Sequence, residues 1–182
     1  MGECRLLRET SSRLFEVRRL GRQDMAVFRD IRREAIADNQ DALGMSVGEE
    51  LAHDEAWYLE KLDVDHVFGG IDQTRALMGV VALTKRRIEY RSGVAALSGM
   101  YVRPTARGTG LSRHLLDAAV SEAFRDGRSV VLAVTITNEA AIRLYLSAGF
   151  REWKSCELQS YLDTFSPPQM LMMLDGAEFR AL

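Results

Sequence analysis

The stretch LSGMYVRPTARGTGLSRHLLDAAVSEA, residues 97–123, decides how the chain folds. Its opening, LSGMYV, is a short apolar run that reads as a buried strand. Pro104 lacks a backbone donor and ends strand pairing. The turn Arg107-Gly108-Thr109-Gly110 follows, and its glycines permit positive φ and close approach of a ligand to the backbone. A helical pattern begins at once, with Leu111, Leu115, Ala119 and Ala123 on one stripe and Leu116 and Val120 beside it. Strand, glycine turn and helix in that order leave backbone N–H groups facing an anion. The helix dipole adds to the attraction, and Arg107 supplies a fixed positive charge. The stretch reads as a phosphate cradle. It is not a P-loop, because no Gly-Lys-Ser/Thr follows, and it lacks the third glycine of a dinucleotide fingerprint.

Upstream, residues 75–84 (RALMGVVALT) read as a long buried strand, 64–71 as another, and Asp72-Gln73-Thr74 as the tight turn between them. Residues 14–20 alternate as a first strand. Asp24 is placed to cap a helix carrying Met25, Phe28, Ile31 and Ala35 on one stripe. A second helix is expected to carry Val47, Leu51, Tyr58 and Leu62 on one face, with Trp57 alongside. Downstream, Asp126-Gly127 stops the cradle helix, and 129–136 (SVVLAVTI) is a strand covered on both faces. Asn138 caps a helix with Ala141, Leu144, Tyr145 and Ala148 inside, ended by Gly149. Strands are expected from Phe150 to about Leu158 and over 169–174 (QMLMML), separated by a polar loop at 159–168. The result is an α/β chain, mixed in the α+β sense: one central mixed sheet of about seven strands, with helices on both faces.

The 182 residues fit one domain, 1–182, with its core over about 14–175. A net charge of -2 argues against a nucleic-acid partner held by electrostatics. No apolar run reaches the ~18–20 residues that span a bilayer, and the opening MGECRLLRETSSRL has no apolar signal region, so no membrane is expected. Cys4 and Cys156 give neither a disulfide framework nor metal-ligand spacing. His53 and His66 have no partner cluster, so no metal is expected, and a reducing, cytoplasmic setting is the default.

The motif V-x-P-x-x-R-G-x-G-L, from Val102 to Leu111, resembles the pyrophosphate loop of the GNAT superfamily of acetyl-CoA-dependent N-acetyltransferases. A second motif, N-x-x-A-x-x-L-Y-x-x-x-G-F, from Asn138 to Phe150, is similar to that family's downstream signature. The resemblance covers roughly Phe15 to Leu174, and it is the pair of motifs that is specific. Ser112 departs from the usual glycine or alanine that ends the loop.

The resemblance implies acetyl-CoA as co-substrate. The backbone amides of Gly108, Thr109, Gly110, Leu111 and Ser112, with Arg107, would then hold its pyrophosphate. The fourth-strand backbone at Met100, Tyr101 and Val102 would pair with the pantetheine arm. Asn138 would bond the pantetheine amides, act as a plain N-cap, or do both. Tyr145 would be the general acid near the sulfur, against the reading of a core tyrosine on an apolar stripe. Many relatives place a Glu on the fourth strand; here strand alternation puts Ala96, Ser98 and Met100 on that face, and none is a base. Glu89 and Glu152 read as surface residues, and no base is named. Asp38, Asp41, Glu49, Glu50, Asp54 and Glu55 concentrate acidity near the first helices, which a cationic acceptor or simple solvation would explain.

The function implied is N-acetyl transfer from acetyl-CoA to a primary amine, small-molecule or peptide, by direct attack. A coenzyme A-binding sensor without transferase activity, or an enzyme using a longer acyl-CoA, are the alternatives. The apolar final strand makes a homodimer reasonable.

Overall fold

A computed structural model describes residues 14–39, 46–84, 93–154 and 168–176. The connection expected at 85–92, the loop at 159–167, Glu89, Asp41, Cys4 and Cys156 lie outside the described residues.

Seven strands form one sheet: β1 (Phe15–Arg19), β2 (His66–Asp72), β3 (Leu77–Thr84), β4 (Val94–Val102), β5 (Ser129–Thr135), β6 (Arg151–Glu152) and β7 (Gln169–Leu174). Their order is β1-β2-β3-β4-β5-β7-β6. Every neighbouring pair is antiparallel except β4 and β5. That parallel pair needs a crossover, which α4 (Leu111–Arg125) provides. The other α-helices among the described residues are α1 (Met25–Asp38), α2 (Val47–Leu51), α3 (Glu55–Val64) and α5 (Glu139–Ser147).

The sheet carries a core on each face because β3 alternates. Val80 and Ala82 pack with Phe28 and Ile31 of α1 and Tyr58 and Leu62 of α3. Val81 and Leu83 pack with Leu111, Leu115, Leu116 and Ala119 of α4, and with Tyr145 and Phe150 beyond them. Leu115 is fully buried, and burying such a side chain stabilises the fold by about 1.5–3 kcal/mol.

Several expectations need correction. The single second helix is two, because Asp54 starts a new one, accepting from Trp57 N at 2.9 Å. Ser46 caps α2 reciprocally with Glu49, a capping box. Asp24 does hold the N-cap position of α1, but its side chain makes no capping bond; its carboxylate receives both Arg18 Nη groups at 2.8 Å and Gly21 N at 2.9 Å. The strand expected to begin at Val64 begins at His66, because Val64 ends α3. Arg75 stands in a turn at φ 69°, outside β3, where Asp72 Oδ1 accepts from Thr74 N and Ala76 N. β6 spans Arg151–Glu152 and has ended by Trp153, while residues 155–158 of the expected strand lie outside the described residues. The apolar β7 lies inside the sheet between β5 and β6, with Leu171 and Met172 buried, so its composition is accounted for by the core.

One irregularity decides the site. On β4, Ser98 pairs with Ala82 and Tyr101 with Val80, so Gly99 and Met100 together oppose Val81. This is a β-bulge, and Gly99 takes φ 61° within it. A bulge inverts the side-chain alternation beyond it. Ala95 and Leu97 belong to the core under α4, whereas Tyr101 joins the core under α1 and Val102 returns to the α4 side. Ala96, Ser98 and Met100 therefore do not share a face: Met100 packs on the α4 side.

Candidate active site

β4 and β5 pair only at Val94↔Ser129, Ala95↔Val130 and Ala96↔Val131. Beyond those pairs β4 stays bonded to β3 and β5 to β7. The two strands part, and their facing edges bound a cleft of about 560 Å³. Buried backbone polar groups are normally paired, and beyond Ala96↔Val131 the facing edges of β4 and β5 no longer pair with each other.

One wall is β4, with Ser98, Met100, Tyr101 and Val102; the other is β5, with Leu132, Val134 and Thr135. At one end lies the turn between β4 and α4. Pro104 opens a short 3-10 turn, where its missing N–H costs nothing. Gly108 follows at φ 75°, and Gly110 takes φ 88° and ψ -2° at the α4 N-cap. A Cβ built on Gly108 meets no protein atom within 4 Å, so the space before it is open. The first amides bonded back to Gly110 O are Arg113 N at 3.0 Å and His114 N at 3.2 Å. Those of Leu111 and Ser112 precede them and have no intrahelical acceptor. Such an end, with its dipole, suits an anion.

Arg107 borders this end. Its Nε donates to Val102 O at 3.0 Å, and its guanidinium lies 5.9 Å from the Tyr101 ring centroid. Its Nη groups are left for a ligand, since it makes no ion pair with a described residue. Arg113, for which the sequence holds no signal, also lines the cleft; its Nε binds Asp117 at 2.8 Å and its Nη1 binds Ser147 O at 3.1 Å.

The roof is α5. Asn138 caps it, its Oδ1 accepting from Ala141 N at 3.2 Å, so the cap role is realised and only Nδ2 is spare for a ligand. Tyr145 lines the cleft with 7% exposure, its ring 5.7 Å from that of Phe150. Burial pushes its phenol up to about 12, and no hydrogen bond to a described residue offsets this. Such a phenol holds its proton at neutral pH and can only donate.

Of the residues expected to bind or react, Met100, Tyr101, Val102, Arg107, Gly108, Gly110, Ser112, Asn138 and Tyr145 line this one cleft. Thr109 and Leu111 do not. The Thr109 hydroxyl turns back to Ala106 O at 2.6 Å, and Leu111 is a core residue packed under Gly70. Their contribution is confined to the backbone. The β5 wall was not expected, although exposed Ala133 amid SVVLAVT fits a central strand that faces a gap.

The acidity near the first helices does not form one patch. Glu50 is buried against Arg32 at 2.7 Å, Asp54 and Glu49 cap helices, and Glu55 meets Arg29 at 3.4 Å. Among the described residues no group of three His, Cys, Asp or Glu side chains is placed to hold a metal ion, and no helix is long and apolar enough to cross a membrane.

A seven-stranded mixed sheet with helices on both faces is a fold shared with solved acetyltransferases. The chain belongs to the acetyltransferase (GNAT) family, whose model matches residues 27–150. Solved structures agree on the fold. A GCN5-related N-acetyltransferase from Kribbella flavida superposes with a TM-score of 0.70 at 21% identity, covering 89% of this chain and 98% of that one. Spermidine N-acetyltransferase from Vibrio cholerae, solved with CoA and spermine, gives 0.67 at 20% identity over 88% of this chain and 95% of its own. An N-acetyltransferase from Thermoplasma acidophilum in complex with coenzyme A gives 0.66 at 16% identity, over 88% and 98%.

Proposed function

We propose that this protein is an N-acetyltransferase that moves the acetyl group of acetyl-CoA to a primary amine by direct attack. The observation that carries the reading is Tyr145, a buried phenol held protonated in the same cleft that opens on the α4 N-terminus. Acetyl-CoA supplies an acyl group activated as a thioester. Arg107 and the amides of Gly108 to Ser112 would bind its pyrophosphate, where the helix dipole and the left-handed glycines favour an anion. The exposed edge of β4 at Met100 to Val102 would pair with the pantetheine arm, and Asn138 Nδ2 would bond its amides. Tyr145 would donate its proton to the departing sulfur. No carboxylate on β4 faces the cleft, so the amine reaches its neutral form through solvent beside the exposed Ser98.

The acceptor is a small-molecule or peptide amine, and polyamines head the panel because the Vibrio cholerae relative was solved with spermine. Residues 14–175 act as one domain, in the cytoplasm, where thioester and acceptor meet. Nothing beyond the missing carboxylate favours a coenzyme A sensor without transferase activity.

The test is an amine panel with thiol detection, paired with thermal shift in millimolar acetyl-CoA. Acceptor-dependent thiol release is the expected result. No thermal shift with acetyl-CoA or CoA overturns the co-substrate, and a shift without turnover of any amine overturns the transfer.

A further inference from the structure

The part of β4 that leaves β5 has lost half its hydrogen-bonding partners, so something else must fix where it ends. Beyond Ala96↔Val131 it is held on the β3 side alone. The bulge at Gly99 turns Tyr101 away from the core under α4 and onto α1. There its hydroxyl lies 3.0 Å from Glu34 Oε1 and 2.8 Å from Asp38 Oδ2, in the last turn of α1. Arg103 reaches the same Glu34, with Nε 2.9 Å and Nη2 2.8 Å from Oε2. Between these two side chains sits Val102, whose carbonyl receives Arg107 Nε, and the guanidinium of Arg107 faces the Tyr101 ring.

We infer that Tyr101 is a positioning residue: its hydroxyl pins the free end of β4 to α1, and thereby sets both the width of the cleft and the seat of Arg107. Tyr101 is 5% exposed and its contacts are charge-assisted, so the link is stiff. It is also the reason for the bulge. Without the inverted alternation Tyr101 would point toward α4, and the strand end would have no tie to α1. Helix α1 thus acts on coenzyme A without touching it, through Tyr101, Val102 and Arg107 in turn. This rests on the coenzyme A reading of the cleft, but part of its test does not.

The experiment is Tyr101→Phe in the full chain, which keeps the ring and removes the hydroxyl. Without ligand, amide exchange over residues 97–102 should quicken by about tenfold while β1 and β2 keep wild-type rates. The dissociation constant for CoA should rise about five- to tenfold, and KM for acetyl-CoA should rise more than kcat falls. Glu34→Gln, which preserves an acceptor for the phenol, should recover most of the wild-type affinity when compared with Glu34→Ala. Unchanged exchange at 97–102 overturns the inference, as does CoA affinity that follows overall stability across the variants. Should Tyr101→Phe fail to fold, the double variant Glu34→Ala with Asp38→Ala, which removes both acceptors of the hydroxyl, takes its place in the exchange measurement: faster exchange at 97–102 supports the pin, and unchanged exchange overturns it. A wild-type protein that binds no CoA overturns the proposed function instead, and the ligand-free exchange still decides whether Tyr101 pins β4.

Discussion

Replacing Tyr145 with phenylalanine separates chemistry from stability in a way few changes to this protein can. The hydroxyl lies in a site with 7% residue exposure and gains no hydrogen bond from a described residue. Removing it takes away a hydroxyl that opens on the cleft and is not among the buried polar atoms without a partner, so stability should change by no more than about 1 kcal/mol. For a chain of this size that corresponds to a melting temperature within ~4 °C of wild type. The ring stays packed against Phe150 at 5.7 Å, so the cleft keeps its shape. With the phenol pushed up to about 12, only about one molecule in 10⁵ is ionised at pH 7, and the group can serve as an acid alone. General acid catalysis is worth ~10²–10⁴-fold, so kcat should fall by at least about 100-fold with KM for acetyl-CoA nearly constant. Thiol release with the best amine of the panel measures the rate, and a thermal melt of the same sample measures stability. A kcat within about threefold of wild type removes the acid role. The sign of the pH effect is also fixed. The folded state holds this proton more tightly than the unfolded chain, so wild-type stability is full below the ordinary tyrosine value of ~10 and falls as pH rises from there toward 12, a loss that Tyr145→Phe should not show.

Gly110→Val puts a β-branched residue at φ 88°, costing about 1–3 kcal/mol of stability, and should weaken CoA binding at least tenfold by calorimetry. Unimpaired affinity in the folded variant removes the glycine turn from the binding site. Glu50→Ala leaves Arg32 and the Tyr58 hydroxyl without their buried partner, at a cost of about 3–5 kcal/mol, or ~6–20 °C in melting temperature. A loss under about 1 kcal/mol refutes that reasoning, and Arg32→Met with Glu50→Leu should recover most of the stability. Burial alone would raise the Glu50 carboxyl, but the hydrogen bond and charge of Arg32 outweigh it and hold it low. Its stabilisation is thus present above the unfolded carboxyl value of ~4.3 and lost as pH falls further, so urea melts should show the gap between wild type and Glu50→Ala narrowing only at acid pH.

The cradle and its helix were legible because both are local: two glycines in one turn and a 3.6-residue stripe need no distant partner. The caps at Asn138 and Gly127 were legible for the same reason. What failed was parity and continuity. Nothing in VAALSGMYV announces that Gly99 and Met100 share one opposing residue, yet that single extra residue moves Tyr101 to the other face of the sheet. The break between α2 and α3 was hidden because Val47, Leu51, Tyr58 and Leu62 keep helical spacing across it. Asp24 stands at the N-cap as its residue type suggests, but a capping carboxylate and an arginine partner look alike until Arg18 is seen folded onto it. The parting of β4 from β5 is a property of strands more than 30 residues apart, and no local pattern encodes it.

That parting has a consequence for how the protein lives among others. A strand edge with unsatisfied N–H and C=O groups is ordinarily a template on which neighbouring chains add strands and aggregate. Here two such edges are kept inside the sheet, facing each other across a gap roofed by α5. A chain adding a strand there would have to enter between β4 and β5, whose outer sides are already bonded to β3 and β7.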